Sequence, residues 1–212
     1  EATANIQLCT AHWYGGNREQ SCENTVKSVK KLLGGIQIDG YYELNMSEIP
    51  KLNNMVDGVT VTVEDDFSKK YPKMKKGATI NLDDEQAYAY VHDRYGVGDE
   101  ENTSRMKRQQ QYMTGFFKKL QEKVKANPNY ANEVFESLQD VSTTDITIGK
   151  ISNISNIFAS GTDKGIFELA GKSKIGQALG DEIDHMEFYV NKKAMVSTMS
   201  ELFGIVEQKN KE

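Results

Sequence analysis

Hydrophobic and polar positions alternate along this chain in two distinct periods. The segment VTVTVED (59–65) places valine at every second position and threonine between, the period of a half-buried strand. Elsewhere the apolar residues recur every three or four positions. Val26, Val29, Leu32 and Leu33 share one face of a helix over 22–33, which Gly34-Gly35 ends. ANIQLCTAHWY (4–14) reads as a short helix stopped by Gly15-Gly16, DGYYELNM (39–46) as a strand, and SEIPKLNNMV (47–56) as another short helix. Asp83 or Asp84 caps a helix through Ala87, Tyr90 and Val91. A longer helix over 103–126 follows, halted before Pro128, with Met106, Met113, Phe117, Leu120 and Val124 as its core stripe. Helices are also predicted over 129–139 and 147–158. HMEFYV reads as a strand, and a final helix carries Ala194, Met195, Met199, Leu202 and Phe203 inside. Helices interleaved with strands predict a layered α/β domain, and no linker rich in Pro, Gly or Ser divides it.

The chain has 212 residues and a formal charge of −5, which argues against nucleic acid as a bulk partner because that needs a basic footprint. No apolar run is long enough to span a bilayer. The sequence starts at Glu1 without a signal peptide and is expected to be a fragment or processed product. One local exception to the acidity is the predicted loop 65–81, with Lys69, Lys70, Lys73, Lys75 and Lys76. It is either a solvated loop or a contact for anionic lipid head groups. Cys9 and Cys22 lie close in sequence and fit either two thiols or a short disulfide loop. The three histidines are scattered, so no zinc site is predicted.

The chemistry concentrates in YVHDRYGVGDEENTSRMKRQQQYM (90–113). Arg105, Gln109 and Tyr112 share one face of the long helix, with Arg108 beside it and Asn102 or Thr103 placed to cap. A cation in the first helical turn opposes the helix dipole. It fits there if an anion such as phosphate occupies the helix start and accepts bonds from the guanidinium. Arg94, at the end of the preceding helix, can approach the same point. The alternative is an exposed ionic fringe, in which Arg105 and Arg108 pair with Asp99, Glu100 and Glu101.

The run INLDDEQAYAYVHDRYGVGDEENTSRMKRQQQYM resembles the signature of the LytR–CpsA–Psr family: L-x-G-x-Q-A-L-x-Y-V-R-x-R, a short acidic loop, then R-x-x-R-Q. Upstream, AHWYGG, the TVKSVKKLL helix, IDGYYEL and MVDGVTVTV resemble the family's A-x-x-Y-G-G and T-V-x-x-L helices and its I-D-Y-Y and V-D-x-x-G-G-V strands. The tail resembles the terminal strand and helix of clostridial-type members. The resemblance implies a three-layer α/β/α domain with a central mixed sheet and a hydrophobic lipid-binding cavity. Residues 1–212 would form one such domain, comprising its C-terminal two-thirds and a strand–helix extension.

The implied activity is transfer of a phosphate-linked glycopolymer, teichoic acid or capsule, from an undecaprenyl-pyrophosphate carrier to peptidoglycan. The implied location is the outer face of the cytoplasmic membrane or the cell wall of Gram-positive bacteria, reached through an N-terminal anchor helix absent from this sequence. Arg94 and Arg105 would be catalytic, and Arg94, Arg105, Gln109, His92, Arg108 and Asn102 would bind the pyrophosphate. Mg²⁺, or Mn²⁺, is the implied cofactor. Its expected Asp ligands belong to an N-terminal S-I-P-R-D region not found in this sequence, so no metal ligand is assigned here and the fragment alone is expected to be inactive. His92 replaces the first Arg of R-x-R, and Asn102 stands where many members have Asp. The extracellular location implies a Cys9–Cys22 disulfide. The alternatives are a non-catalytic module that binds polyprenyl phosphate or glycopolymer, and a cell-envelope transcriptional regulator or attenuator.

Overall fold

The computed structural model describes residues 8–177 and 182–204. In chain order these form α1 (Arg18–Leu32), β1 (Tyr42–Leu44), α2 (Ile49–Met55), β2 (Thr60–Thr62), β3 (Thr79–Asn81), α3 (Asp84–His92), α4 (Asn102–Ala126), α5 (Tyr130–Ser137), β4 (Ser142–Thr144), α6 (Ile148–Ser160), β5 (Gly171–Gly176), β6 (His185–Val190) and α7 (Lys192–Phe203). The chain is mixed α/β and mostly helical. It divides into two compact units: residues 1–41, 143–145 and 167–212 in one, and 42–142 with 146–166 in the other. The described strands pair only in twos, so they do not assemble the expected central mixed sheet. The physical reason is length, because three-residue strands offer too few ladder bonds to extend a sheet by themselves.

In the first unit a 3-10 turn covers Leu8–Tyr14, where a helix over 4–14 is expected, and residues 4–7 lie outside the described region. Helix α1 begins four residues earlier than the periodicity predicts because Asn17 caps it, its side chain accepting from the Gln20 amide at 2.8 Å. At its other end Gly34 adopts φ +78°, the left-handed geometry that stops a helix at little steric cost. Strands β5 and β6 run antiparallel, Gly171 opposite Val190 and Gly176 opposite His185. Strand β5 (GKSKIG) has no apolar alternation and is invisible to a periodicity reading. Helix α7 buries Met195 and Met199 as expected, but Phe203 is exposed in its last turn.

The second unit contains the core that positions the candidate site. Val59, Val61 and Val63 face inward while Thr60 and Thr62 face solvent, the alternation legible in the sequence. Strand β3 completes the hairpin, with Val61 opposite Ile80, and occupies the end of what the sequence predicts as loop. Helix α4 crosses this hairpin at Gly115, where a Cβ would stand 2.6 Å from Val59 Cγ1; the mid-helix glycine is the means of close approach. Consequently the first half of the buried stripe on α4 is rotated from the predicted one, while Leu120 and Val124 lie inward as expected. Tyr112 and Val124 are buried, with Phe116 and Leu120 against the core. Met106, Met113 and Phe117 are 49%, 48% and 44% exposed and do not belong to it.

Asn53 joins the elements of this unit. It is 1% exposed and its amide donates to the Leu82 carbonyl at 3.0 Å and to Asp84 at 3.1 Å. Its oxygen accepts from the Val59 amide at 3.1 Å and from the Tyr112 hydroxyl at 3.2 Å. One side chain thereby satisfies groups from α4, from the start of α3 and from both arms of the β2–β3 hairpin. Asn53→Ala strands these groups out of water, each at about 1–3 kcal/mol. We expect a loss of about 3 kcal/mol in urea unfolding; an unchanged midpoint and slope would contradict this role.

Candidate functional site

Helix α3 is started by a reciprocal capping box: Asp83 accepts from the Gln86 amide at 2.9 Å and Gln86 accepts from the Asp83 amide at 3.2 Å. Its far end delivers residues 90–94 to the start of α4. Tyr90 is buried and its hydroxyl donates to Gln111 at 2.8 Å; burial pushes its pKa up to about 12.

Two adjacent side chains on α4 hold this end of α3. Arg108, 1% exposed, donates from Nε to the Tyr90 carbonyl at 2.9 Å, from Nη1 to the Asp65 carboxylate and from Nη2 to the Asp93 carbonyl. Its guanidinium lies 5.2 Å from the centre of the Phe67 ring. Gln109 donates to the Val91 carbonyl at 2.9 Å. The guanidinium of Arg108 is therefore directed at protein groups, and its evident action is to position its neighbours. Asp65, its ionic partner, was not among the residues expected at the site. The only sequence trace of it is an acid at the end of the V-T-V-T-V strand.

The loop from α3 to α4 consumes its own acids. Glu100 accepts from the Gly96 amide at 2.8 Å. Asp99 accepts from the Glu101 amide at 2.9 Å and from the Ser104 hydroxyl at 2.8 Å. The Glu101 amide, followed by the Ser104 hydroxyl, holds the Asp99 carboxyl below its ordinary range. Gly98, at φ +56°, presses on Asp65, where a Cβ would come within 2.5 Å of the carboxylate. The ionic fringe of Arg105 and Arg108 with Asp99, Glu100 and Glu101 is not formed.

What remains open is the first turn of α4. Glu101 is its N-cap and contributes no side-chain cap bond, and the turn contains no acid. Neither Asn102 nor Thr103 occupies the cap position predicted for it. Glu101 thus gives the leading amides no side-chain acceptor, and the carboxylate at this positive end, Asp99, is bonded to the Glu101 amide and the Ser104 hydroxyl. Arg105 stands directly over this turn. Its Nη2 donates to Asn102 Oδ1 at 2.7 Å, and its Nε is buried without a partner. No carboxylate among the described residues pairs with Arg105. Arg94, also without an acidic partner among them, stacks its guanidinium 4.3 Å from the centre of the exposed Tyr95 ring and donates to the Tyr95 hydroxyl. His92 is exposed, stacked on Tyr88 at 4.8 Å, with Nδ1 3.2 Å from the Asp93 carboxylate. The opposite oxygen of Asp93 is 3.7 Å from Lys70 Nζ.

This donor set does not fit Mg²⁺ or Mn²⁺. Such ions need several oxygen ligands, whereas Asp65, Asp93, Asp99 and Glu100 are each engaged by a protein donor. Arg94 and Arg105 are free of acidic partners among the described residues, and the site's carboxylates are already engaged. Cys9 is exposed and Cys22 buried, and no disulfide joins them in this structure.

The LytR_cpsA_psr family profile matches residues 2–203. Several solved structures share the fold at low identity. A transcriptional regulator, EF0465, from Enterococcus faecalis is 22% identical with a TM-score of 0.70, over 95% of this chain and 71% of that one. TagV from B. subtilis is 21% identical with a TM-score of 0.66, over 92% and 74%. TagT bound to LI-WTA is 21% identical with a TM-score of 0.63, over 94% and 73%. No curated protein matches the chain in sequence.

If Arg108 is the anchor of this arrangement, Asp65→Asn leaves a buried guanidinium without its counter-charge. Losses for such single deletions are about 3–5 kcal/mol. We expect a fall of that size in chemical unfolding, partly recovered in the Asp65→Leu/Arg108→Met double variant. A loss below about 1 kcal/mol, the range of surface pairs, would remove Arg108 from this role.

Proposed function

Because the chain belongs to the LytR–CpsA–Psr family, we propose that it is the part of a glycopolymer phosphotransferase that grips the pyrophosphate of a polyprenyl-linked donor. The observation that carries this reading is Arg105: a guanidinium beside a helix start that its N-cap side chain does not cap, with a buried Nε that no group among the described residues satisfies. A pyrophosphate oxygen would accept from that Nε and from the leading amides of α4 together. Arg94 would take a second oxygen, Asn102 orients Arg105, and His92 would stand at the rim. Gln109 and Arg108 hold the backbone from which Arg94 projects.

Phosphoryl transfer asks the protein mainly to position the reacting oxygens and to offset their charge. In the proposed reaction an acceptor hydroxyl of peptidoglycan bonds to phosphorus while the bond to the carrier breaks and polyprenyl phosphate leaves. The stripe Met106–Met113–Phe117 starts beside Arg105 and is exposed, which supports it as the track for the prenyl chain. The bound LI-WTA of TagT supports the same ligand class. The layered sheet, the lipid cavity and the Mg²⁺ ligands would be completed by segments outside this sequence, and both units are read as one family domain at the outer face of the cytoplasmic membrane. The carboxylates committed to protein donors favour, as a second reading, a module that binds the lipid pyrophosphate without turnover.

Transfer assayed in the full-length protein separates the two. Arg105→Ala is expected to lower turnover about 10²–10³-fold, as removal of one transition-state donor does, with an unchanged melting temperature. Equal turnover in wild type and variant would end the proposal; donor binding with no turnover in the wild type would establish the second reading. The proposed Cys9–Cys22 disulfide is checked by alkylation and mass measurement: labelling only after reduction supports it, and two labelled thiols in the native protein exclude it.

A further inference from the structure

The segment between β2 and β3 is a folded turn rather than a loose loop. The hairpin continues past β2, with the Val63 amide donating to Ala78 at 2.8 Å and the Gly77 amide to Val63 at 2.7 Å. Beyond it the chain folds onto itself: the Phe67 amide donates to Met74 at 3.0 Å, Met74 to Tyr71 at 2.8 Å, and Tyr71 to Phe67 at 2.9 Å. Phe67 and Met74 are buried in the core and pin both arms. Side chains on the outside of such a turn are presented from a fixed backbone.

Those side chains are Lys69, Lys70, Lys73, Lys75 and Lys76, all exposed. The acids nearby offset them only in part: Lys75 and Lys69 act on the Asp66 carboxylate through space, without an ion pair. Asp65 is directed to Arg108, Asp66 accepts from the Ser68 amide at 2.8 Å, and Asp93 reaches only Lys70. Among the described residues, no carboxylate forms an ion pair with Lys69, Lys73, Lys75 or Lys76. In a chain of net charge −5 this is a concentrated, preformed positive surface.

Its chemistry indicates the partner. Lysine ammonium groups act as hydrated point charges, whereas discrete phosphate recognition favours the arginine fork. No arginine lies between residues 64 and 78. A linear polyanion is held by a groove with stacking side chains, and here the lysines are exposed on a folded turn whose apolar residues Phe67 and Met74 are in the core. We propose that the 64–78 turn docks on an anionic lipid surface through Lys69, Lys73, Lys75 and Lys76. Lys70, tied to Asp93, connects that surface to the segment bearing Arg94. The inference goes beyond the transfer reading and holds whether or not the chain transfers anything.

Co-sedimentation of the 212-residue chain with vesicles tests it. Wild type is expected to bind vesicles containing roughly one third phosphatidylglycerol in phosphatidylcholine, to ignore pure phosphatidylcholine, and to be released at about 0.5 M salt. Replacing Lys69, Lys73, Lys75 and Lys76 by Gln should weaken partitioning at least about tenfold, since each lysine near such a surface is worth about fivefold, while circular dichroism stays unchanged. Equal sedimentation of the variant, no binding by the wild type, or equal binding to pure phosphatidylcholine would overturn the proposal. So would displacement from vesicles by soluble poly(glycerol phosphate) at matched phosphate concentration, which would make the partner a polymer.

Discussion

A single buried guanidinium organises the second unit. Removing Arg108 and Asp65 from water costs several kcal/mol per ion, on the order that isolated buried charges incur. The arrangement offsets this by satisfying the arginine from several directions: a carboxylate, the carbonyls of Tyr90 and Asp93, and the face of Phe67. Each partner comes from a different segment. Asp65 and Phe67 root the lysine-bearing turn, Tyr90 and Asp93 end α3, and Arg108 itself lies near the start of α4. Gln109, bonded to Val91, adds a second clasp one residue along. Such a network acts cooperatively because loss of one member leaves the others desolvated.

The contrast between Arg108 and Arg105 follows from this anchoring. They are three residues apart on α4, close to one helical turn, yet one is directed entirely at protein groups and the other has a buried Nε without an acceptor. The acids that might have neutralised Arg105 are used to shape the loop: Asp99 and Glu100 bind backbone amides and Ser104. A stapled loop thereby starts α4 without a side-chain cap from Glu101 and with no carboxylate among the described residues paired to Arg105. That combination is unfavourable for a helix by itself and is stabilised by an anion.

Much of this was legible in one dimension. The helix limits of α4, the capping box at Asp83, the V-T-V-T-V alternation and the Arg–Gln block at 105–109 all depend on local spacing. Several features were not. Strand β3 exists because the turn folds back and pairs Ile80 with Val61, a contact its own composition does not announce. The stripe Met106–Met113–Phe117 has the same helical spacing as a core stripe. Its exposure was decided by Gly115 settling onto Val59, which turns Tyr112 and Phe116 inward instead, while Leu120 and Val124 keep the places the spacing gives them.

By itself, then, the sequence determined which segments become helices, the cap of α3 at Asp83, and which residue types stand at the start of α4, because hydrogen-bonding and side-chain periodicity act over a few residues. Only the tertiary structure decided which arginine is anchored in the core and which has a buried Nε without an acceptor. Arg105 and Arg108 are chemically identical and differ only in what the fold brings to them: Asp65 comes from 43 residues away, and no carboxylate among the described residues comes to Arg105. Burial and pairing are properties of the surroundings, and those are assembled by contacts that local sequence does not encode.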